Sequence, residues 1–371
     1  VPPAKQLLPA LLLLPLAVSA CKNEGDADDT SAIGAFDGLF DGVATGMNFP
    51  LDIGIAPDDP ITEDDIEGGD IYVANYGTSE IMWVRDPTGD PSGDAATPVF
   101  DGTSVGFAGA MAVSVPHHTR VWAVFEQGGE ANAGGLAILD QDGGLITTYD
   151  GADASAFANP GGICYGGVSE DGAITYFYMT NLGDGTAWRL EASNLDGEAI
   201  DFIQVGGGLA TGTLGSPGSP GNGLTSSSDL PQGGARGCVY DLGYLYVADM
   251  QNDRVVRFDD VANNEGIDGV ALEDMPAGML NDPTDLTVNA EGYLIIISYE
   301  NAQAFLTVEL PRGGFIDNGL QNLSVNAGNY GVAVASGTVW FTRANNQNGT
   351  LRAVTPTQDT LPTTEGPFPA Q

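Results

Sequence analysis

A hairpin that recurs along the chain restricts its fold more than any other feature. Residues 244–258 read YLYVADMQNDRVVRF: an apolar run rich in Val, Leu and Tyr, a polar stretch from Asp249 to Asp253, then a second apolar run through Val255, Val256 and Phe258. Two short β-rich runs around a polar turn make a hairpin. Residues 70–84, DIYVANYGTSEIMWV, repeat the same order of strand, Asn or Asp, polar turn and strand. A supersecondary unit that returns every few tens of residues marks a repeat architecture, in which each unit buries its apolar face against the next.

Six segments align on this pattern. Their inner strands begin in PLDIGIA (50–56), FAGAMAV (107–113), PGGICYG (160–166), ARGCVYD (235–241), PTDLTVN (283–289) and GNYGVAV (328–334). The second strands are DIYVANY, TRVWAVFE, ITYFYMTN, YLYVADM, YLIIISYE and TVWFTRA, and a third strand follows each. Fourth, outer strands are expected at 97–101, 145–149 and 200–205. The last segment runs out of chain before its fourth strand. Residues 36–43 can supply it, joining both ends of the domain in one sheet and leaving no open edge. With 53 Gly, 22 Pro and almost no amphipathic helical pattern, the composition also favours short strands joined by turns.

The Tyr-Val-Ala-Asn/Asp wording resembles the NHL-type repeat of β-propellers, over roughly residues 47–355. That resemblance implies an all-β fold: a six-bladed β-propeller of four-stranded antiparallel blades around a central channel.

The domain has a leader. Residues 1–20, VPPAKQLLPALLLLPLAVSA, carry one positive charge followed by an apolar run ending in small residues, as in a secretory signal peptide. Val18-Ser19-Ala20-Cys21 resembles the bacterial lipobox, which implies lipidation at Cys21. Lys22 in the next position points to the outer membrane by that family's sorting habit. The expected organisation is a signal peptide (1–20), a lipidated acidic tether (21–35), the propeller (36–355) and a Pro/Thr-rich tail (356–371). Residues 206–234 form a Gly/Ser/Pro-rich insertion between the third and fourth segments.

Charge narrows the partners. Asp and Glu number 50 against 11 Lys and Arg, a formal net charge of −39. Nucleic-acid binding needs a basic footprint, so it is excluded. The protein body is also repelled by anionic membrane surfaces, which leaves the lipid anchor as the membrane contact.

Two cysteines remain after Cys21. Cys164 and Cys238 lie in adjacent inner strands at offsets that differ by one, so their side chains point to opposite faces, as two facing blades require for a disulfide. The alternative is a pair of buried free thiols packing as small apolar residues.

Candidate chemistry is sparse. The histidines, His117 and His118, are adjacent on an expected turn between the first two strands of the second segment. Calcium is the candidate cofactor, since it takes six to eight oxygen ligands. Asp52 and Asp285 stand at inner-strand starts, and Asn75, Asn181, Asp249 and Glu300 at second-strand ends, so these six could converge at the channel mouth. Residues 283–294, PTDLTVNAEGYL, resemble a segment of the gluconolactonase (SMP-30-like) propellers, in which an Asp after the proline helps bind the metal. Here Thr284 stands in that place and Asp285 follows; the family's Pro-Asn-Gly site reads Pro160-Gly161-Gly162. Arg236, the cation nearest the expected mouth, is assigned to pair with Asp285 or Asp52.

Three functions follow. The first is a surface-exposed lipoprotein module that binds a protein, glycan or small ligand without catalysis. The second is a calcium-dependent lactonase or esterase-like hydrolase. The third is a scaffold within an envelope assembly.

Overall fold

The computed structural model describes residues 39–57, 70–84, 96–117, 119–207, 234–259, 270–271, 280–289, 292–299, 305–309, 314–315, 328–335, 338–344 and 349–354. All belong to the unit Ile33–Gln371. The signal peptide, Cys21, the tether, the tail, His118, Glu300 and nearly all of the 206–234 insertion lie outside the described residues.

The chain enters through β1 (Leu39–Met47) and then lays down antiparallel sheets of four strands in chain order. The first contains β2 (Pro50–Ile55), β3 (Ile71–Asn75), β4 (Glu80–Val84) and β5 (Thr97–Asp101). Next come β6 (Phe107–His117), β7 (Arg120–Gly128), β8 (Gly135–Asp140) and β9 (Leu145–Asp150). The third sheet holds β10 (Pro160–Val168), β11 (Thr175–Asn181), β12 (Thr186–Ala192) and β13 (Ile200–Gly207). The fourth has β14 (Ala235–Asp241), β15 (Tyr244–Asp249), β16 (Arg254–Asp259) and a two-residue outer strand, β17 (Val270–Ala271). The fifth is built alike from β18 (Pro283–Val288), β19 (Tyr293–Ser298), β20 (Phe305–Glu309) and β21 (Gly314–Phe315).

In the last sheet β22 (Asn329–Ala335), β23 (Thr338–Arg343) and β24 (Gly349–Val354) are joined by β1, paired antiparallel from Leu39 opposite Val354 to Met47 opposite Gly349. That strand lies three to four residues later than the 36–43 the sequence suggested. Burial of Ala44 and Met47 against Leu351 and Ala353 sets the register.

The sheets stand in a propeller arrangement. Inner strands β2, β6, β10, β14, β18 and β22 each pack on the next, and β22 packs back on β2. Large side chains fill the wedges between sheets. Trp122 stacks on Phe177 at 3.8 Å between the second and third, and Tyr178 on Tyr240 at 4.9 Å between the third and fourth. Aromatic pairs of this kind add to the stabilisation from area burial alone.

Two details repeat around the ring. Every hairpin closes with a backbone bond from the residue after the second strand to the residue before the inner strand. Tyr76, Leu182, Met250, Tyr299 and Ala344 donate to Phe49, Asn159, Gly234, Asp282 and Gly328, and the longer β6–β7 hairpin uses Gly129 to Gly106. Every inner strand also carries a bulge near the start of its core-facing stretch, between Pro50 and Asp52, Ala110 and Ala112, Pro160 and Gly162, Ala235 and Cys238, Pro283 and Asp285, and Asn329 and Val332. A bulge adds one residue against the partner strand and re-aims its side chain. The added residues are Leu51, Met111, Gly161, Arg236, Thr284 and Tyr330.

Candidate functional site: the central cavity

The strand-end residues expected to bind ligand serve the turns instead. Asn75 Oδ1 accepts from the Asn48 amide at 2.7 Å, and its Nδ2 donates to Thr78 Oγ1. Asn181 Oδ1 accepts from the Ala158 amide, while Nδ2 donates to the Ala156 carbonyl and Thr186 Oγ1. Asp249 Oδ2 pairs with Arg254 Nε at 2.8 Å and accepts from Asn252. The reason is local: short polar side chains at a strand end satisfy backbone groups that the turn leaves open. His117 likewise sits at the β6–β7 turn, where its Nδ1 meets Thr119 Oγ1 at 3.0 Å.

The side chains that do gather at the axis come from two other rings. One is the position just after these caps, occupied by Tyr76, Leu182, Tyr299 and Ala344, with Glu126 at the equivalent place in β7. The other is the bulged position, occupied by Leu51, Met111, Arg236, Thr284 and Tyr330, all buried. Leu51, Met111, Leu182 and Tyr330 share one apolar cluster with Tyr76, Tyr299 and Ala344 packed on it. These residues come from five sheets, which meet only around the axis, so the layer spans the ring near the inner-strand starts.

Arg236 is embedded in this layer at 2% exposure, its guanidinium 5.2 Å from the centre of the Tyr330 ring. Burial lowers its pKa, opposed by Tyr330, Asp285, Asp52 and Glu126. Glu126 is fully buried, and the Tyr76 hydroxyl hydrogen-bonds to its carboxyl. Burial raises the pKa of Tyr76, and the nearby Glu126 carboxyl raises it further.

One step along the inner strands lies the feature around which the centre is built. Asp52 Oδ2 accepts from the Val113 amide of the next sheet at 2.9 Å, and Oδ1 from its neighbour Ile53 at 2.7 Å. Asp285 Oδ2 repeats the first contact with the Val332 amide of its own next sheet at 2.8 Å. Each carboxyl latches two blades together. The two also hydrogen-bond to each other. They reach across the last sheet because Gly331 lies between them: a Cβ there would meet Asp52 Cα. A Cβ at Gly237 would collide with the Asp285 carboxyl.

Two carboxyl groups in contact cannot both ionise cheaply. Burial pushes Asp52 up to about 6, against the pull of the Val113 and Ile53 amides, Asp285 and Arg236. Asp285 is raised well above the ordinary carboxylate range by burial first and then by the Asp52 charge. A proton held between the two relieves that repulsion, and the titration belongs to both residues together.

The pair faces a central cavity of about 220 Å³ lined by residues from every inner strand. Asp52 keeps accessible surface towards it, and the later positions Tyr165, Val239, Thr287 and Ala333 are half-buried. The wall also includes Cys164 and Cys238, which are bonded to each other with their Cα atoms 5.8 Å apart.

The structure thus brings Asp52 and Asp285 together and sends Asn75, Asn181 and Asp249 elsewhere. Among the described residues no group of three or more His, Cys, Asp or Glu side chains is placed to hold a metal ion. Carboxyl oxygens already committed to backbone amides and to one another do not fit a calcium site that needs six or more free oxygens.

Fold and site together define a β-propeller with a carboxyl-floored central cavity. No protein-family model matches the chain, and no curated protein does. Solved structures share the fold. An auxiliary nutrient binding protein from Bacteroides thetaiotaomicron aligns with TM-score 0.53 and 10% identity, over 83% of this chain and 69% of that one. A gluconolactonase from Xanthomonas campestris aligns with TM-score 0.52 and 12% identity, over 85% and 89%. The PQQ-bound aldose sugar dehydrogenase of Streptomyces coelicolor aligns with TM-score 0.50 and 16% identity, over 85% and 97%. At these identities the likeness concerns the fold.

Proposed function

We propose that the chain is a six-bladed propeller acting as an exported, lipid-anchored binding module, with the central cavity as its ligand site. The observation that carries this reading is the convergence of all the inner strands on one cavity with a carboxyl floor and walls that mix polar and apolar surface. Concave sites with a few placed polar groups are the usual form of small-molecule sites. The blade count rests on the closed order of inner-strand contacts, and export on the lipobox-like Val18–Cys21 segment. A nutrient-binding protein among the structural neighbours is compatible with this reading.

The competing reading is a metal-dependent lactonase, in keeping with the gluconolactonase neighbour. It requires an oxygen-rich donor set, which the described residues do not provide. A calcium titration of the thermal midpoint separates the two, starting from chelated residues 22–371 in high, constant sodium chloride with magnesium as control. The expected result is equal, small shifts with both ions, from screening of the acidic surface. A calcium-specific rise abolished by Asp285→Ala would overturn the binding-module reading in favour of the hydrolase.

A further inference from the structure

We propose that the central cavity takes a compact organic cation, its ammonium group on the Asp52–Asp285 pair and its apolar body against the channel wall. This rests on the reading of the cavity as the ligand site and adds the chemical class of the ligand.

Three observations converge. First, among the described residues the only charged side chains lining the cavity are Asp52 and Asp285. Arg236, Glu126, Tyr76 and Tyr330 belong to the layer beside it and line none of its surface. The charge on the described lining is therefore negative. Second, the buried set is short of cations. Three carboxyl groups, Asp52, Asp285 and Glu126, are gathered around one guanidinium. Displacing cavity water with a neutral or anionic molecule would strip solvent from the pair without compensation, whereas an ammonium group replaces that solvent with charge-assisted hydrogen bonds. Third, the walls carry apolar side chains, Ile53, Val113, Ile163, Leu286 and Val332, in nearly equal share with polar surface. The volume of about 220 Å³ equals that of about seven waters at ~30 Å³ each, room for a small ring or short chain. The net charge of −39 raises the local concentration of cations at the entrance.

The pH dependence has a definite sign. As pH falls through about 6 Asp52 takes up a proton, and its negative charge is lost. Arg236 from β14 acts on the pair, with Glu126 from β7 and Tyr330 from β22 beside the guanidinium, and the guanidinium opposes protonation of Asp52. Cation affinity should therefore fall as the medium is acidified through 6.

The test uses cyclohexylamine, with cyclohexanol and cyclohexanecarboxylate as probes of the same shape, on residues 22–371 in high constant salt. Binding is followed by thermal midpoint and calorimetry at pH 7.5 and pH 5. The expected result is binding of the amine at least tenfold tighter than of the alcohol, no binding of the carboxylate, and loss of most amine affinity at pH 5. Ala333→Phe, which fills the cavity and leaves the carboxyl pair intact, should abolish amine binding; amine binding that survives it is surface adsorption and overturns the proposal. If amine and alcohol bind equally and Ala333→Phe blocks both, the cation inference falls while the cavity remains a ligand site. If no probe responds to Ala333→Phe, both readings fall.

Discussion

Replacing Arg236 with methionine should destabilise the protein by about 3–5 kcal/mol, the usual cost of removing one partner from a buried charged group. The side chain is 2% exposed and is surrounded by Asp52, Asp285, Glu126 and the Tyr330 ring. Methionine fills much of the volume but leaves the Asp52 charge without its counter-ion. The loss, read from urea unfolding at pH 7, should shrink as pH falls through 6, because protonation of Asp52 removes the stranded charge. Adding Asp52→Asn to the same chain should recover a large part of it. A loss below about 1 kcal/mol at pH 7, typical of an exposed ion pair, would show that the guanidinium is not the counter-ion of the pair.

Opening the Cys164–Cys238 link should have an effect of comparable size. The two residues are 74 positions apart, and the intervening segment includes the third sheet from β11 onward together with the 206–234 insertion. Cross-linking a loop of that length removes chain entropy from the unfolded state worth about 4 kcal/mol in the simple model. Serine at both positions should lower stability by that order, and reduced wild-type protein should unfold at the same urea concentration as the double variant. Equal stability of oxidised and reduced wild type would mean that the link does no structural work. The link joins the inner strands of the third and fourth sheets, so its loss should be felt first as increased exchange of amides in β10 and β14.

The blade strands were legible in the sequence because the hairpin is under two constraints at once. Its strands must alternate and its turn must be polar, so the segments at 50–56, 107–113, 160–166, 235–241, 283–289 and 328–334 fall on β2, β6, β10, β14, β18 and β22. The outer strand at 97–101 coincides with β5. The roles of the strand-end side chains were not legible in the same way. Asn75, Asn181 and Asp249 stand out in a sequence because they are polar between apolar runs, yet that polarity is spent on turn amides. The axis receives the following residue, and Tyr76, Leu182 and Tyr299 look like ordinary core. Glu126 carried the one available signal: a carboxylate at the end of the apolar run WAVFE. The bulges left no composition signature, since the added residue is Leu, Met, Gly, Arg, Thr or Tyr in turn. Arg236, as the cation nearest the expected mouth, is assigned by the sequence to Asp285 or Asp52, and the structure puts all three in one electrostatic group.

The proton shared between Asp52 and Asp285 is the point on which the charge balance of the centre depends, and infrared difference spectroscopy reads it directly. A protonated carboxyl absorbs apart from a carboxylate, so wild type minus Asp285→Asn should show one protonated carboxyl band that persists at pH 7.5. A second should grow in as pH is lowered through about 6, when Asp52 is protonated. Linkage gives the same sign in stability: the folded state binds these protons more tightly than the unfolded chain. The pair's contribution is therefore full below about 4 and is lost as pH rises through the folded-state values. A difference spectrum at pH 7.5 with carboxylate bands alone would contradict the shared proton, and with it the charge assigned to the cavity floor.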